Sequence, residues 1–449
     1  MKRFLKVALS ALLGLVVLVA LVVAWLTMTT SGARWLARQA QRFEPRLALE
    51  VAEGSLAFGL TVHALRWDDG TFALDAGAAQ LGWTPQCLPA RTLCLDLVRL
   101  DDATLTIRDS ADDERPATDV PPEEPAPPEP AAKLRLPVIV TLELLQARNL
   151  QLETPAVRAS LASLQASGEA SGSAVTLRWG RLQGLRLELL ASGEEPAPRE
   201  SVWPLPRIDL PLDLRVDGLL LEDADIVAAG GSWHIDMVAL NADLKGPALN
   251  LRKLQVQMLE GQLEASGEMT LADTYPLALR LKGRLTHAEL AEPVELDGSL
   301  AGDLKQLAAK AELSGGVRLS AGGSIAPLDP RLPFQLDAHW PALSWPLRGE
   351  PQVSVRNGLL TAQGSLDGYR VSLAGTVSGP DLPEGRWKLQ GNGDLNGFEL
   401  ARLEGEVLDG SLEASGKFDW RKGVRWQAQV RFRDLNPGVV VADYPGRLS

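Results

Sequence analysis

The sequence predicts a mainly β protein: an N-terminal transmembrane helix, then a long, curled, antiparallel-rich sheet forming a groove, with few short helices. Three observations predict it. An uncharged apolar run, Val7–Met28, follows a basic start. From Leu47 onward apolar and polar residues alternate with a period of two, broken by Gly and Asp-Gly turns. After that point the sequence carries no long amphipathic helix to cover the apolar strand faces, so they must pack on another sheet or curl around a hollow.

The chain begins with a short cytoplasmic stub, residues 1–6, holding Lys2, Arg3 and Lys6. Residues 7–28 are the anchor. Its 22 residues make about 33 Å of helix, enough to cross a hydrocarbon core. The basic end stays in the cytoplasm and the bulk of the chain lies on the far side. A cleaved signal peptide is the competing reading; its apolar core would be about 7–15 residues and end in an A-x-A site. This run is longer, closes on Trp25 and lacks that site.

Residues 29–46 form a short amphipathic helix or cap, with Ser31 positioned to cap it and Trp35, Leu36, Ala40 and Phe43 on one face. It either plugs the first end of the β structure or spaces it from the membrane. Residues 47–110 give the first groove segment. Within it Cys87 and Cys94 flank a short loop; they read as a disulfide in an oxidising compartment, against two reduced half-buried thiols. Residues 111–133 are acidic and dense in proline, a composition that reads as a disordered loop. Residues 134–449 continue the groove, with a smaller irregular break at 194–206.

Alternation marks the candidate groove lining. Leu212, Leu214 and Val216 oppose Asp213, Arg215 and Asp217. Leu277, Leu279 and Leu281 oppose Arg280 and Lys282. Val424, Trp426, Val430 and Phe432 oppose Arg425, Gln427, Arg431 and Arg433. A one-residue slip would turn each set to water, so the register is strongly specified. One sentence of sequence recurs, LEGQLEASGEM at Leu259–Met269 and LDGSLEASGKF at Leu408–Phe418. It reads as a reused β-turn-β unit in which a strand ends at Ser266-Gly267. A looser version carries Asn357-Gly358 and Gln363-Gly364. QLAAKAEL, Gln306–Leu313, is the best late helix candidate. At about 13 residues per strand and turn there would be roughly 30 strands, a sheet on the order of 140 Å long at about 4.8 Å per strand.

Composition narrows the function. The formal net charge is −12, which argues against a nucleic-acid partner because phosphate neutralisation needs a basic surface. The glycines of GNGDLNG, Gly391–Gly397, precede a strand-like stretch rather than a helix, so they read as turns. No G-x-S-x-G elbow, H-E-x-x-H pair or Walker lysine occurs, and the four histidines are scattered. The chain reads as no enzyme, with no catalytic, metal or cofactor residues.

In order, the anchor, TTSGARWLARQA, LGWTP, RTLCLDLVRLDDATLTI, the proline-rich interruption, LPVIVTLELLQARNLQL and the GxLxASGxL units resemble the N-terminal part of the TamB family within the AsmA-like group. The resemblance implies an anchor in the bacterial inner membrane and a periplasmic β-taco carrying phospholipids toward the outer membrane. It also implies an Omp85-type outer-membrane partner, TamA, and a link to autotransporter assembly. The alternative it carries is a periplasmic scaffold for outer-membrane protein assembly. Family members continue past LNPGVVVADYPGRLS into a partner-binding domain, so a fragment or a truncated product is expected here.

Overall fold

Alternating sequence needs a sheet, and the computed structural model supplies little else. It describes residues 21–108, 134–190, 205, 207–228, 231–380, 382–421, 423–436 and 446. The stub at 1–6, the anchor up to residue 20, the proline-rich 111–133 and all of 194–206 but Leu205 lie outside the described residues. Residues 21–28 are helical. Among the described residues no helix is long and apolar enough to cross a membrane. The chain divides into two units, Met1–Gly193 with Asp209–Gly246, and Glu194–Ile208 with Pro247–Ser449.

The first unit holds helix α1 (Thr30–Phe43) and nine strands: β1 (Leu47–Ser55), β2 (Gly59–Asp68), β3 (Phe72–Thr84), β4 (Thr92–Ile107), β5 (Leu136–Glu153), β6 (Val157–Gly172), β7 (Ala174–Leu189), β8 (Asp213–Ala228) and β9 (Gly231–Lys245). Each pairs with the next in chain order. Two of these pairs are parallel, β4 with β5 and β7 with β8. A parallel pair needs a connection of a dozen residues or more. The two stretches that interrupt the alternation in the sequence are the links between these strands, so each composition break marks a place where successive strands run in the same direction.

The second unit is an antiparallel meander of thirteen strands: β10 (Ala248–Met258), β11 (Gly261–Thr270), β12 (Leu277–Leu285), β13 (Val294–Asp303), β14 (Gln306–Gly315), β15 (Leu319–Ile325), β16 (Phe334–Trp345), β17 (Val353–Ser365), β18 (Gly368–Gly379), β19 (Leu382–Gly393), β20 (Gly397–Val407), β21 (Gly410–Asp419) and β22 (Arg425–Arg433). Its hairpins turn on side chains as well as glycines. Asp303 Oδ1 accepts from the backbone N–H of Lys305 and Gln306 at 2.8 and 2.9 Å, and Asp394 does the same for Asn396 and Gly397. Such local bonds let a short acidic side chain close a turn.

Several expectations change. The described strands number 22 rather than roughly 30, because those of the first unit run to 18 residues. QLAAKAEL is strand β14, not helix; its Leu307, Ala309, Ala311 and Leu313 alternate with Ala308, Lys310 and Glu312, and that period suits a sheet. The helix N-cap is Thr29, which accepts from the Gly32 N–H at 3.1 Å, not Ser31.

The repeated sentence is also resolved. Neither copy breaks at Ser-Gly: β11 runs through Ser266-Gly267 and β21 through Ser415-Gly416. Instead, the serine faces a bulge. Ser266 opposes two residues of β10, Arg252 and Lys253, and Ser415 opposes Ala401 and Arg402 of β20. Ser167 of β6 opposes Glu143 and Leu144 in the same way. In all three the triplet is Ala-Ser-Gly. A Cβ on its glycine would abut the backbone oxygen of the following strand, Thr176 at 2.7 Å for Gly168 and Gln427 at 2.7 Å for Gly416. The bulge bends one neighbour while the glycine lets the other come close.

Candidate functional site

The registers align apolar side chains into rows that cross every strand. In the first unit one row passes through Val51, Val62, Ala79, Leu100 and Ala147 of β1–β5. It continues through Leu164, Leu182, Leu221 and Val238 of β6–β9. The adjacent row on the other face is polar through Thr61, Gln80, Arg99, Gln146, Gln165 and Arg181, and ends on Leu220 of β8 and Ala239 of β9. The second unit repeats this over thirteen strands. Leu254, Ala265, Leu281, Gly298, Ala311, Ala321 and Ala338 lead on to Leu360, Leu373, Leu389, Leu403, Ala414 and Val430. Gln255, Glu264, Lys282, Asp297, Glu312, Ser320 and His339 align on the reverse. At about 4.8 Å per strand the rows measure about 40 Å and about 60 Å.

The bulges preserve these rows. Between Leu251 and Leu254 the sequence inserts two residues, Arg252 and Lys253, and the partner strand inserts only Ser266. Both leucines therefore stay on the apolar face. Without the bulge, half of β10 would present its charges there.

Burial separates the faces. The buried strand residues are small and mostly belong to the apolar rows: Ala76 is 0% exposed, Ala147 2% and Ala265 8%. Among the described residues no large side chain is fully buried. Leu277, Leu279 and Leu281 are half-buried, while Ala278, Arg280 and Lys282 between them are exposed. A sheet sandwiched against a second layer would bury its leucines completely. Here alanines are crowded out of solvent by the leucines around them, and the leucines have nothing packed on top. The polar face is laced by exposed cross-strand ion pairs. Arg181 grips Glu222 through two bonds of 2.6 and 2.9 Å, which lowers the Glu222 carboxyl below its ordinary range. Exposed pairs of this kind add little to stability, so they act mainly to keep that face wet.

Of the predicted lining residues, Leu281 and Val430 fall in these rows, and most of the others lie in neighbouring rows of the same face. Leu214 and Val216 pair with Leu244 and Ala242. Leu277, Leu279 and Leu281 pair with Met269, Gly267 and Ala265. Trp426, Val430 and Phe432 pair with Phe418, Ala414 and Leu412, on a strand exposed along its whole length. Leu212 lies in the bend before β8, and Val424 precedes β22, so neither belongs to a ladder. The rows of β3–β7 were missed, because bulges interrupt the period of two that would have revealed them.

The Cys87 and Cys94 sulfurs lie 2.10 Å apart, as a disulfide across a 3-10 turn, Pro85–Ala90. Helix α1 lies against β1 through polar groups rather than the Trp35, Leu36 and Phe43 face. Arg34 donates to the carbonyls of Val51 at 3.1 Å and Ala52 at 2.8 Å, and Gln41 donates to that of Leu49. Trp35 and Phe43 stay exposed. Covering the β1 carbonyls blunts a sheet edge. Among the described residues no group of three or more His, Cys, Asp or Glu is placed to hold a metal ion.

A model of the family described as TamB, N-terminal domain, matches residues 18–449. The chain belongs to the TamB N-terminal domain family. It is similar to the translocation and assembly module subunit TamB of Haemophilus influenzae (strain ATCC 51907 / DSM 11121 / KW20 / Rd), 22% identical over 458 residues, which cover 93% of this chain and 34% of that relative. The chain thus spans about a third of the curated relative it matches. No solved structure matches it. Membership accounts for the order of features in the sequence: a TamB N-terminal domain is here two runs of paired strands, each with one continuous apolar face.

Proposed function

We propose that this TamB-family chain is the inner-membrane end of a periplasmic lipid-transfer bridge, whose apolar faces form a groove carrying phospholipid acyl chains toward the outer membrane. The observation that carries the reading is the unbroken apolar row in each unit, uncovered by any second layer. Exposed apolar surface on this scale far exceeds what a soluble monomer tolerates unless something fills it. Acyl chains fit: each buried methylene contributes about 0.8 kcal/mol. A lining of Leu, Ala and Gly without a shaped pocket holds a tail wherever it lies, so tails can slide. The run Val7–Met28 crosses the inner membrane, and an Omp85-type protein, TamA, receives the far end of the complete assembly.

The test is lipid capture by the full chain. A photoreactive residue at Leu281 crosslinks phospholipid and one at Lys282 does not, and both Leu281→Glu and Val430→Glu lower co-purified phospholipid several-fold without loss of fold. Equal crosslinking at 281 and 282, with equal lipid in the variants, would overturn the reading. A second reading, a scaffold for outer-membrane protein assembly, rests on the words translocation and assembly in the relative's name. It requires nascent β-chains to crosslink at strand-edge backbone positions in preference to position 281.

A further inference from the structure

We propose that the tip of the β1–β2 hairpin and the disulfide-closed turn after β3 form a foot that sits in the headgroup region of the membrane, so that the first edge of the apolar face opens onto the lipid surface. The inference deepens the proposed function and rests on the membrane crossing of Val7–Met28.

The level of the bilayer surface is fixed by the chain itself. Residues 21–28 are helical, and Leu21, Val22, Val23, Trp25 and Met28 are all exposed, with no protein over them. A helix apolar all round needs a non-aqueous surrounding. It ends at a built corner. Thr29 Oγ1 donates to the Trp25 carbonyl at 2.7 Å, closing the first helix, and accepts from the Gly32 N–H at 3.1 Å, opening α1. A Cβ on Gly32 would collide with the backbone of Trp25 and Leu26, so the corner is tight. The apolar run thus stops at Met28, and Trp25 stands one turn before its end, where an amphipathic ring belongs at a membrane interface.

The hairpin tip is tied to that same level. The Ala57 N–H donates to the Thr27 carbonyl at 2.9 Å, and the Trp83 indole N–H donates to the Leu56 carbonyl at 2.6 Å. On either side of Ala57, Leu56 and Phe58 are exposed, Phe58 by 70%. Trp83 leads directly into the turn Pro85–Ala90, which carries exposed Leu88 and is closed by Cys87 and Cys94. Large apolar side chains at a hairpin tip are poor turn chemistry in water. The opposite end of β2 turns on Asp68, Asp69 and Gly70, with Asp68 and Asp69 accepting backbone N–H bonds. One end of these strands is therefore shaped for lipid and the other for water. Since Leu60 and Leu81 begin the β2–β3 pairing beside the tip, a tail leaving the bilayer would meet apolar side chains at once.

The experiment reconstitutes the full chain in phospholipid vesicles under non-reducing conditions. An environment-sensitive fluorophore is attached singly at Met28→Cys, Phe58→Cys, Thr71→Cys or Leu281→Cys, and quenching by spin-labelled phospholipid is read. Quenching at 58 close to that at 28, and about threefold above that at 71, is expected of an interfacial residue. Quenching at 28 but only background at 58 overturns the foot and leaves the conduit standing if 281 is quenched. Quenching at 58 without 281 keeps the foot and removes the conduit. Background at 28 overturns the crossing and the foot together. A Leu56→Asp, Phe58→Asp double variant, labelled at 281, is expected to slow arrival of spin-labelled lipid several-fold with the final level unchanged; an unchanged rate counts against the foot.

Discussion

At the level of single residues, glycines and one histidine carry consequences that composition alone would not reveal. Gly267 has φ 143°, and a Cβ there would collide with the Ala278 backbone carbonyl. Gly231 has nearly the same φ, 144°, but nothing within reach of a Cβ. Gly267→Ala is expected to lower the unfolding free energy, read from denaturant titration, by about 2 kcal/mol more than Gly231→Ala, because only the first adds overpacking to backbone strain. Equal losses would mean that strand approach is not limiting at the Ala-Ser-Gly triplets. His234 faces three carboxylates: Nδ1 lies 2.9 Å from Asp225 and 4.0 Å from Asp223, and Nε2 lies 3.4 Å from Asp236. The bond to Asp225 and the charges around it raise its pKa above the ordinary histidine value. A raised pKa means that the charged ring stabilises the fold fully at acid pH, and that this contribution is lost as pH rises through the raised value. Denaturation followed from about pH 5.5 to about pH 8.5 should show a loss that His234→Gln removes.

At the level of elements, the bulge is the device that keeps a long sheet in phase. Inserting one residue after Ser415 would oppose Ala401 and Arg402 with two residues, so that the bulge is lost and the part of β20 before it changes face. Phe398 and Leu400 would then turn to the charged face. The expected result is earlier proteolytic cleavage in β20–β21, with β11–β13 retaining their protection; an unchanged cleavage pattern would mean that the ladder re-registers at no cost. The same device explains what the sequence made legible and what it hid. Uninterrupted alternation, as in Leu277–Leu281, identified both the strand and its apolar side. Where two residues separate successive leucines of the apolar face, as in Leu142–Leu145 or Leu400–Leu403, the period slips and the face is lost to inspection. Strand sense was hidden too, since alternation is the same in parallel and antiparallel ladders. The breaks at 111–133 and 194–206 were visible as composition, but their part in joining parallel strands needed the register. QLAAKAEL was ambiguous because alanine and leucine favour helix locally, and the neighbouring ladders override that preference.

For the molecule as a whole, the proposed lipid conduit ties stability to lipid. Among the described residues alanines are buried but no large side chain is completely so, and such a fold draws less on a sealed core than on the mutual contact of half-exposed leucines. Its native state leaves apolar surface that a ligand can cover, whereas the unfolded chain offers no aligned row. Binding to the native state alone stabilises by mass action, about 2.7 kcal/mol at a free ligand concentration 100-fold above its dissociation constant. A short-chain phospholipid held below its micelle concentration should therefore raise the thermal midpoint of the full chain in a saturable way, while the headgroup alone should not. Because each row runs through every strand of its unit, one carboxylate interrupts it without emptying it. Leu281→Glu should reduce the lipid-induced shift in proportion to the length of row it removes from use, and adding Leu164→Glu in the first unit should reduce it further. A lipid-independent midpoint in the parent chain, or a shift untouched by both substitutions, would mean that the apolar rows are not where the lipid lies.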